Sequence, residues 1–239
     1  MQTSTKSKKT AILQSSYIPW KGYFDLINDV DEFVLFDDVQ YTRRDWRNRN
    51  RIKTNQGVNW LTIPVNVKGN YLQSIKDVQV ANQQWARDHY MTMCHSYSKA
   101  PCFPQYKDWL HDLYNQAEKL QLLSEVNYLF IESICRVLSI QAKLSWSSQY
   151  QLEEGKSERL LSICKQNGAQ TYVSGPSAKD YLDEPLFKDQ GVNVSWFDYD
   201  GYPEYSQVHP PFEHRVSVID LILHVGQDAP NYIRKFGSV

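Results

Sequence analysis

The apolar and polar positions of the first forty residues alternate in blocks that predict a β-α-β opening. Residues 11–16 read as a strand. Tyr17-Ile18-Pro19-Trp20-Lys21-Gly22-Tyr23-Phe24 then turns the chain into a short helix ending near Asn28, with Pro19 where a helix start tolerates it. Phe33-Val34-Leu35-Phe36 is a continuous apolar run ending in Asp37-Asp38, the pattern of a buried parallel strand that delivers polar groups at its carboxyl end. Residues 59–65 give a third strand candidate, and a further short strand is expected near Val78. The period then changes. Residues 84–97, 106–117 and 122–138 carry apolar positions at helical spacing, most clearly Leu122, Val126, Leu129, Phe130, Ile134, Val137 and Leu138, a stripe that belongs in a core. Strand and helix alternate again through 142–146, a helix over 157–167 closed by Gly168, 171–173, a strand-to-helix junction over 174–182, and 192–197. A Pro-rich loop around His209-Pro210-Pro211, a helix over 217–225 stopped by Gly226, and a last helix over 229–236 follow. The fold class implied is α/β: a Rossmann-like, largely parallel sheet with flanking helices and a central helical insertion at about 84–139, in one domain over 11–239 after a disordered start over 1–10.

A chain of 239 residues with 41% hydrophobic residues can bury a sizeable core, and a net charge of −1 argues against a global field that coats nucleic acid. Any anion site must be local. Seven Trp and sixteen Tyr supply amphipathic rings of the kind that line pockets for sugars or bases as well as cores. The four cysteines form no CxxC pair and the six histidines no HExxH spacing, so no metal is expected. The first ten residues are polar and lysine-bearing, and no apolar run reaches the roughly 20 residues of a membrane span, so a cytoplasmic protein with reduced thiols is expected.

Charge is concentrated between Gln40 and Lys53, where six cations stand against one carboxylate and Arg43, Arg44, Arg47, Arg49 and Arg51 are interleaved with Trp46, Asn48 and Asn50. Guanidinium forks with aromatic and amide neighbours suit bidentate recognition of phosphate or carboxylate, and a solvated basic face is the plain alternative. If the segment is extended, Arg43, Arg47, Arg49 and Arg51 share one side and Arg44 faces the other. Ligands of parallel α/β sheets bind beyond the carboxyl ends of the strands, so Gln14 to Tyr23, Asp37 to Tyr41 and the arginine segment are expected to converge on one rim. There Gln14, Tyr17 and Tyr23 offer hydrogen bonds to a sugar or satisfy a tight turn, and Asp37 and Asp38 offer a base or a ribose partner or pair with arginines. Gln40 belongs to the same stretch. Ser174-Gly175 is a candidate amide cradle for an anion. His209, in a loop beside Tyr205 and Gln207, is the candidate general base, with Asp38 as the other; His224, within a helix, reads as structural.

Four blocks in order resemble the WbqC-like family: Gln14 through Phe24; Asp37-Asp38-Val39-Gln40-Tyr41 running into Trp46-Arg47-Asn48-Arg49; Tyr172-Val173-Ser174-Gly175 with Tyr181-Leu182; and Tyr205-Ser206-Gln207 followed by Ser217-Val218-Ile219-Asp220. The resemblance is full length. It implies a place in bacterial surface-polysaccharide (O-antigen) gene clusters, with attachment of an aminoacyl or other acyl group to an amino sugar as the expected activity. A deeper likeness is to adenylyl-transferring α/β enzymes, which carry His-x-Gly-His after the first strand; here Trp20-Lys21-Gly22-Tyr23 keeps only the glycine. The reading is a transferase acting on a nucleotide-linked amino sugar. The arginine segment would bind the diphosphate or the acyl donor's anionic group, and Tyr17, Trp20, Tyr23 and Trp46 would hold a ring. The alternatives are an ATP-using adenylyl-transfer-type enzyme activating a carboxylate, and a noncatalytic binding module for a glycan or nucleotide sugar. No motif specifies a cofactor.

Overall fold

A computed structural model describes residues 7–233. In chain order the elements are β1 (Lys9–Leu13), α1 (Lys21–Asn28), β2 (Glu32–Leu35), β3 (Arg49–Thr54), β4 (Gly57–Thr62), α2 (Gln84–Tyr97), α3 (Phe103–Ala117), α4 (Leu123–Val137), β5 (Lys143–Trp146), α5 (Lys156–Asn167), β6 (Thr171–Ser174), α6 (Glu184–Asp189), β7 (Asn193–Trp196), α7 (Val218–Val225) and α8 (Ala229–Tyr232). They fall into two compact units, one holding the chain to Gln14 with Leu26–Asp37 and Gln141–Tyr199, the other holding Ser15–Asp25, Asp38–Ile140 and the chain from Asp200.

The first unit is built on a five-stranded sheet in the order β5-β2-β1-β6-β7, with every pair parallel. Counting only the strands of this sheet, the order is 3-2-1-4-5, the Rossmann-like doubly wound arrangement, and it reverses between β1 and β6. Ala11, Phe33, Val34 and Leu35 have no exposed surface, as inner strands of a parallel sheet require. Ile12 and Val34 pack with Leu160, Leu161 and Ile163 of α5, and Tyr172 of β6 stacks on Phe187 of α6 at 5.3 Å. Gly168 ends α5 at φ 75°, a left-handed position that a side chain would strain.

The second unit contains the three helices of the predicted insertion, with α3 packed against both α2 and α4. Their core surrounds Tyr17, whose hydroxyl lies 2.9 Å from His89 Nδ1 and 2.8 Å from the Tyr114 hydroxyl and whose ring meets Trp85 and Phe130 edge-on. Burial brings His89 down to about 4, so the ring is neutral and its Nδ1 can accept from Tyr17. β3 and β4 form an antiparallel hairpin running from Arg49↔Thr62 to Thr54↔Gly57. The strand expected over 59–65 is thus half of a separate two-stranded sheet, and the third strand of the parallel sheet is β5.

Several boundaries differ from the sequence expectation. β1 occupies Lys9–Leu13, so it begins inside the stretch expected to be disordered, of which residues 1–6 lie outside the described residues. Near Val78 the expected strand is reduced to single antiparallel bridges, Gln79↔Leu122 and Val65↔Val80, after a 3-10 turn over Ile75–Asp77. After β6 the chain makes only the 3-10 turn Pro176–Ala178, and α6 starts later at Glu184, where Asp183 Oδ1 accepts from Leu186 N–H at 3.1 Å. The end of the expected last helix, beyond Ile233, lies outside the described residues.

β2 opens on Glu32, whose side chain is 1% exposed at the amino end of the sheet. Its Oε1 accepts from Tyr150 OH at 2.6 Å, Ser145 Oγ at 2.7 Å and Lys143 Nζ at 3.1 Å, and its Oε2 from Lys8 Nζ at 2.8 Å. Burial pushes the carboxyl up, but the bonds from Lys8, Tyr150, Ser145 and Lys143 outweigh it and bring the group down to about 2. The folded value lies below that of an unfolded glutamate, about 4.3, so the stabilisation is present above that pH and is lost as pH falls toward the folded value. Thermal melts should therefore show a steep loss of stability between about pH 4.3 and 2. Glu32→Gln should flatten that dependence and lower stability at neutral pH by about 2 kcal/mol, the scale of a charge-assisted bond.

Candidate functional site

The outward face of the hairpin joins cations to indoles. Period-two alternation places Arg49 and Arg51 on the side of Val58 and Trp60, while Asn50, Ile52 and Leu61 point inward and are buried. Trp46 and Trp60 are 40% and 45% exposed, with ring centroids 5.2 Å apart. The Arg49 guanidinium lies 4.2 Å from the Trp60 ring centre, and Arg51 lies 5.7 and 5.9 Å from those of Trp46 and Trp60. Arg43 repeats the motif on Tyr71 at 4.7 Å, and Gln40 ties that loop down by donating to Tyr71 O at 3.0 Å. Stacking occupies the face of a guanidinium; Arg49 spends one edge donor on Arg44 O and both Arg49 and Arg51 bury Nε, which leaves their other Nη donors for an anion. Arg43, Arg47, Arg49 and Arg51 were expected on one side of an extended segment; only Arg49 and Arg51 lie on the hairpin strand, and Trp60 and Tyr71 were missed, although Trp60 is the outward partner of Arg51 in the hairpin register.

Arg44 is exposed at φ 58°, and its carbonyl accepts a short bond from the Arg49 guanidinium. Arg47, by contrast, is buried. Beside it, Asn48 donates from Nδ2 to Ile63 O at 2.8 Å, a main-chain clamp. Asp45 accepts from the Thr42 hydroxyl at 2.8 Å and from Trp46 N–H at 2.7 Å. Burial raises its carboxyl, but Arg47, these bonds and Arg49 together hold it below the usual carboxylate range.

A second polar centre lies at the start of α7. Asp220, fully buried, accepts from Tyr97 OH at 2.9 Å, Tyr205 OH at 2.7 Å and Gln207 Nε2 at 2.9 Å. Tyr97 OH in turn accepts from Lys53 N–H of β3 at 3.0 Å. His224 approaches Asp220 O through Nδ1 at 2.6 Å while its Nε2 accepts from Val208 N–H at 2.9 Å, which assigns the Nδ1–H tautomer. Tyr205 and Gln207, expected at a ligand, are thus partners of Asp220. The sequence signal for this centre was a lone carboxylate and imidazole four residues apart in an otherwise apolar helix.

Lys21 was also missed. It is buried, donates to Pro203 O at 2.7 Å, and has the Tyr202, Tyr205 and Phe212 rings within 5.4, 5.4 and 5.8 Å. Burial brings its ammonium down to about 8 against the pull of Glu204 and Asp220. His209, the expected base, bonds to Ser96 O through Nε2 at 3.0 Å.

The remaining candidates divide between the two units. Gln14, Asp37, Ser174 and Gly175 belong to the sheet unit; Gln14 and Asp37 follow β1 and β2, Ser174 ends β6 and Gly175 follows it, all at the carboxyl ends, with Gln14 and Ser174 beside the strand-order reversal. A Cβ on Gly175 would come 3.4 Å from the Tyr199 hydroxyl. Tyr17 and Tyr23 are core residues of the second unit. Trp20 lies edge-on to Tyr202 at 5.7 Å and covers Gly22, where a Cβ would meet its ring at 2.3 Å, so glycine is required there. Asp38 makes a close ion pair with Lys76. Among the described residues no group of three His, Cys, Asp or Glu is placed to hold a metal ion, and no helix is long and apolar enough to cross a membrane.

Comparison with known proteins agrees with the sequence blocks. The chain is 48% identical over 227 residues to the uncharacterized protein Rv1507c of Mycobacterium tuberculosis (strain ATCC 25618 / H37Rv), covering 95% of this chain and 98% of that one. No solved structure matches it significantly. The model of the WbqC-like protein family matches residues 14–232, so the chain belongs to the WbqC-like protein family.

Proposed function

We propose that this protein is a transferase of surface-polysaccharide (O-antigen) biosynthesis that places an aminoacyl or acyl group on the amine of a nucleotide-linked sugar. The observation that carries this reading is the hairpin face on which Arg49 and Arg51 stand against the exposed indoles of Trp46 and Trp60. A nucleotide sugar joins a flat base and a hydroxylated ring to a diphosphate. Indoles accept the rings, and guanidinium edges hold the phosphates through charge-assisted bonds. The amine must lose a proton as the new amide forms, and His209 is the favoured acceptor. With Nε2–H donating to Ser96 O, the neutral ring carries its lone pair on Nδ1. The Asp38 carboxylate is engaged by Lys76, which favours His209 over it.

Calorimetric titration with nucleotide sugars tests the binding face. At least one should bind, and Arg49→Ala or Trp60→Ala should weaken it by about 1.5 to 3 kcal/mol. Unchanged affinity in both variants, with the fold intact, removes the reading. For the base, His209→Asn should cut turnover roughly 100-fold or more while affinity stays near wild type. If the variant only melts earlier and its turnover per folded molecule is normal, His209 is an anchor for its loop.

A further inference from the structure

Arg47 differs from the stacked arginines that follow it. Its side chain is 9% exposed, and while Arg49 and Arg51 also bury an unmatched Nε, Arg47 alone of the three buries an unmatched Nη1 as well. A guanidinium keeps its proton throughout the pH range of folded proteins, so this charge is not relieved by deprotonation. Buried guanidinium donors without acceptors are costly to a fold even where a carboxylate stands nearby. Asp45 Oδ2 stands 4.0 Å from Nε, beyond hydrogen-bond reach, and is held back by its own bonds to Thr42 and Trp46.

The main chain around Arg47 is fixed as firmly. Its carbonyl accepts from Asn127 Nδ2 at 3.0 Å, Trp46 O accepts from Tyr17 N–H at 3.1 Å, and Asn48 O accepts from Ile63 N–H at 2.8 Å. The same two amides leave buried acceptors over: Asn48 Oδ1 and Asn127 Oδ1 have no donor. Asn127 is fully buried and Asn48 is 6% exposed. Unmatched donors and unmatched acceptors in one stretch of the fold fit a ligand that carries both.

We infer that Arg47, Asn48 and Asn127 form an inner site for a small carboxylic acid bearing a neighbouring amine or hydroxyl. The carboxylate takes the Arg47 guanidinium and the N–H or O–H takes the amide oxygens. Charge selects a carboxylate over a phosphate. Arg47 and the Asp45 carboxylate beside it already cancel, so a monocarboxylate adds one buried negative charge, which its own amine can offset, whereas a phosphate dianion adds two with nothing to offset them. The assignment of this acid to the acyl donor rests on the transferase reading; the site itself does not depend on the outer face of the hairpin.

The test uses thermal shift and calorimetry on the full chain at neutral pH and matched ionic strength, with acetate, glycolate, glycine and inorganic phosphate as probes. Glycolate or glycine should bind and raise the melting temperature, acetate should bind about tenfold more weakly, and phosphate should have no effect. Arg47→Met should abolish the response and raise the melting temperature of the ligand-free protein, because the unmatched buried donors are gone. Arg47→Lys should bind about tenfold more weakly and serves if Arg47→Met does not fold. Arg49→Ala should leave the response intact. The inference is overturned if no probe acts, if phosphate acts as well as the acids, or if Arg47→Met lowers ligand-free stability and leaves the response unchanged. Loss of nucleotide-sugar binding with acid binding retained would sink the outer-face reading alone.

Discussion

One side-chain amide, that of Asn50, sets the geometry on which the arginine hairpin depends. Its Nδ2 donates to Tyr17 O and to Ile18 O, each at 3.0 Å, around a residue whose φ is 38°. A left-handed backbone at a β-branched residue costs about 1 to 2 kcal/mol and persists only where its surroundings over-determine it. Here they do: Trp46 O and Pro19 O take the N–H groups of Tyr17 and Val218 at 3.1 and 2.9 Å. Because Asn50 must point inward to make this clamp, Arg49 and Arg51 point outward. The strained turn after β1 and the cationic face of β3 are two results of one hydrogen-bond set.

A buried polar layer holds β3 on its other flank. Lys53 N–H reaches Tyr97, Tyr97 reaches Asp220, and Ser217 N–H reaches Arg51 O at 2.8 Å. Apolar contacts would tolerate sliding of the strand, but this chain of donors and acceptors is satisfied in one register only. That matters for a strand whose outward residues are cations. A slip by one position would bury Arg49 and Arg51 and expose Asn50 and Ile52.

The sheet was legible in the sequence because its strands are written in apolar residues. Phe33-Val34-Leu35 and the helix closed by Gly168 announce their structure by composition alone. The hairpin was not legible, because its inward positions in β3 are Asn50, Ile52 and Thr54, and amides do not register as a buried face. Tyr17 failed as a ligand candidate for the converse reason: a phenol in a polar-looking turn is inside a helical core when His89 and Tyr114 supply its partners from residues 72 and 97 positions away. Lys21 and Asp220 were inside the resembling blocks, but nothing local marks a lysine or a carboxylate for burial. The basic character of residues 40–53 was plain; the division between half-buried Arg49 and buried Arg47 depends on Asn127 and other distant residues, which periodicity does not show.

The order of the parallel sheet has a bearing on how the chain is made. β1 is the central strand, and its pairing with β6 begins at Lys9↔Thr171, 162 residues further along the chain. At ordinary elongation rates the wait is roughly 8 to 30 s, during which one edge of the most apolar strand pair has no neighbour. Such an edge is a template for pairing with another nascent chain. Both compact units are discontinuous in sequence, so neither is complete until late in synthesis. The architecture that gathers the strand ends thus leaves a growing chain with an unpaired strand edge, and ties its folding rate to topology more than to stability.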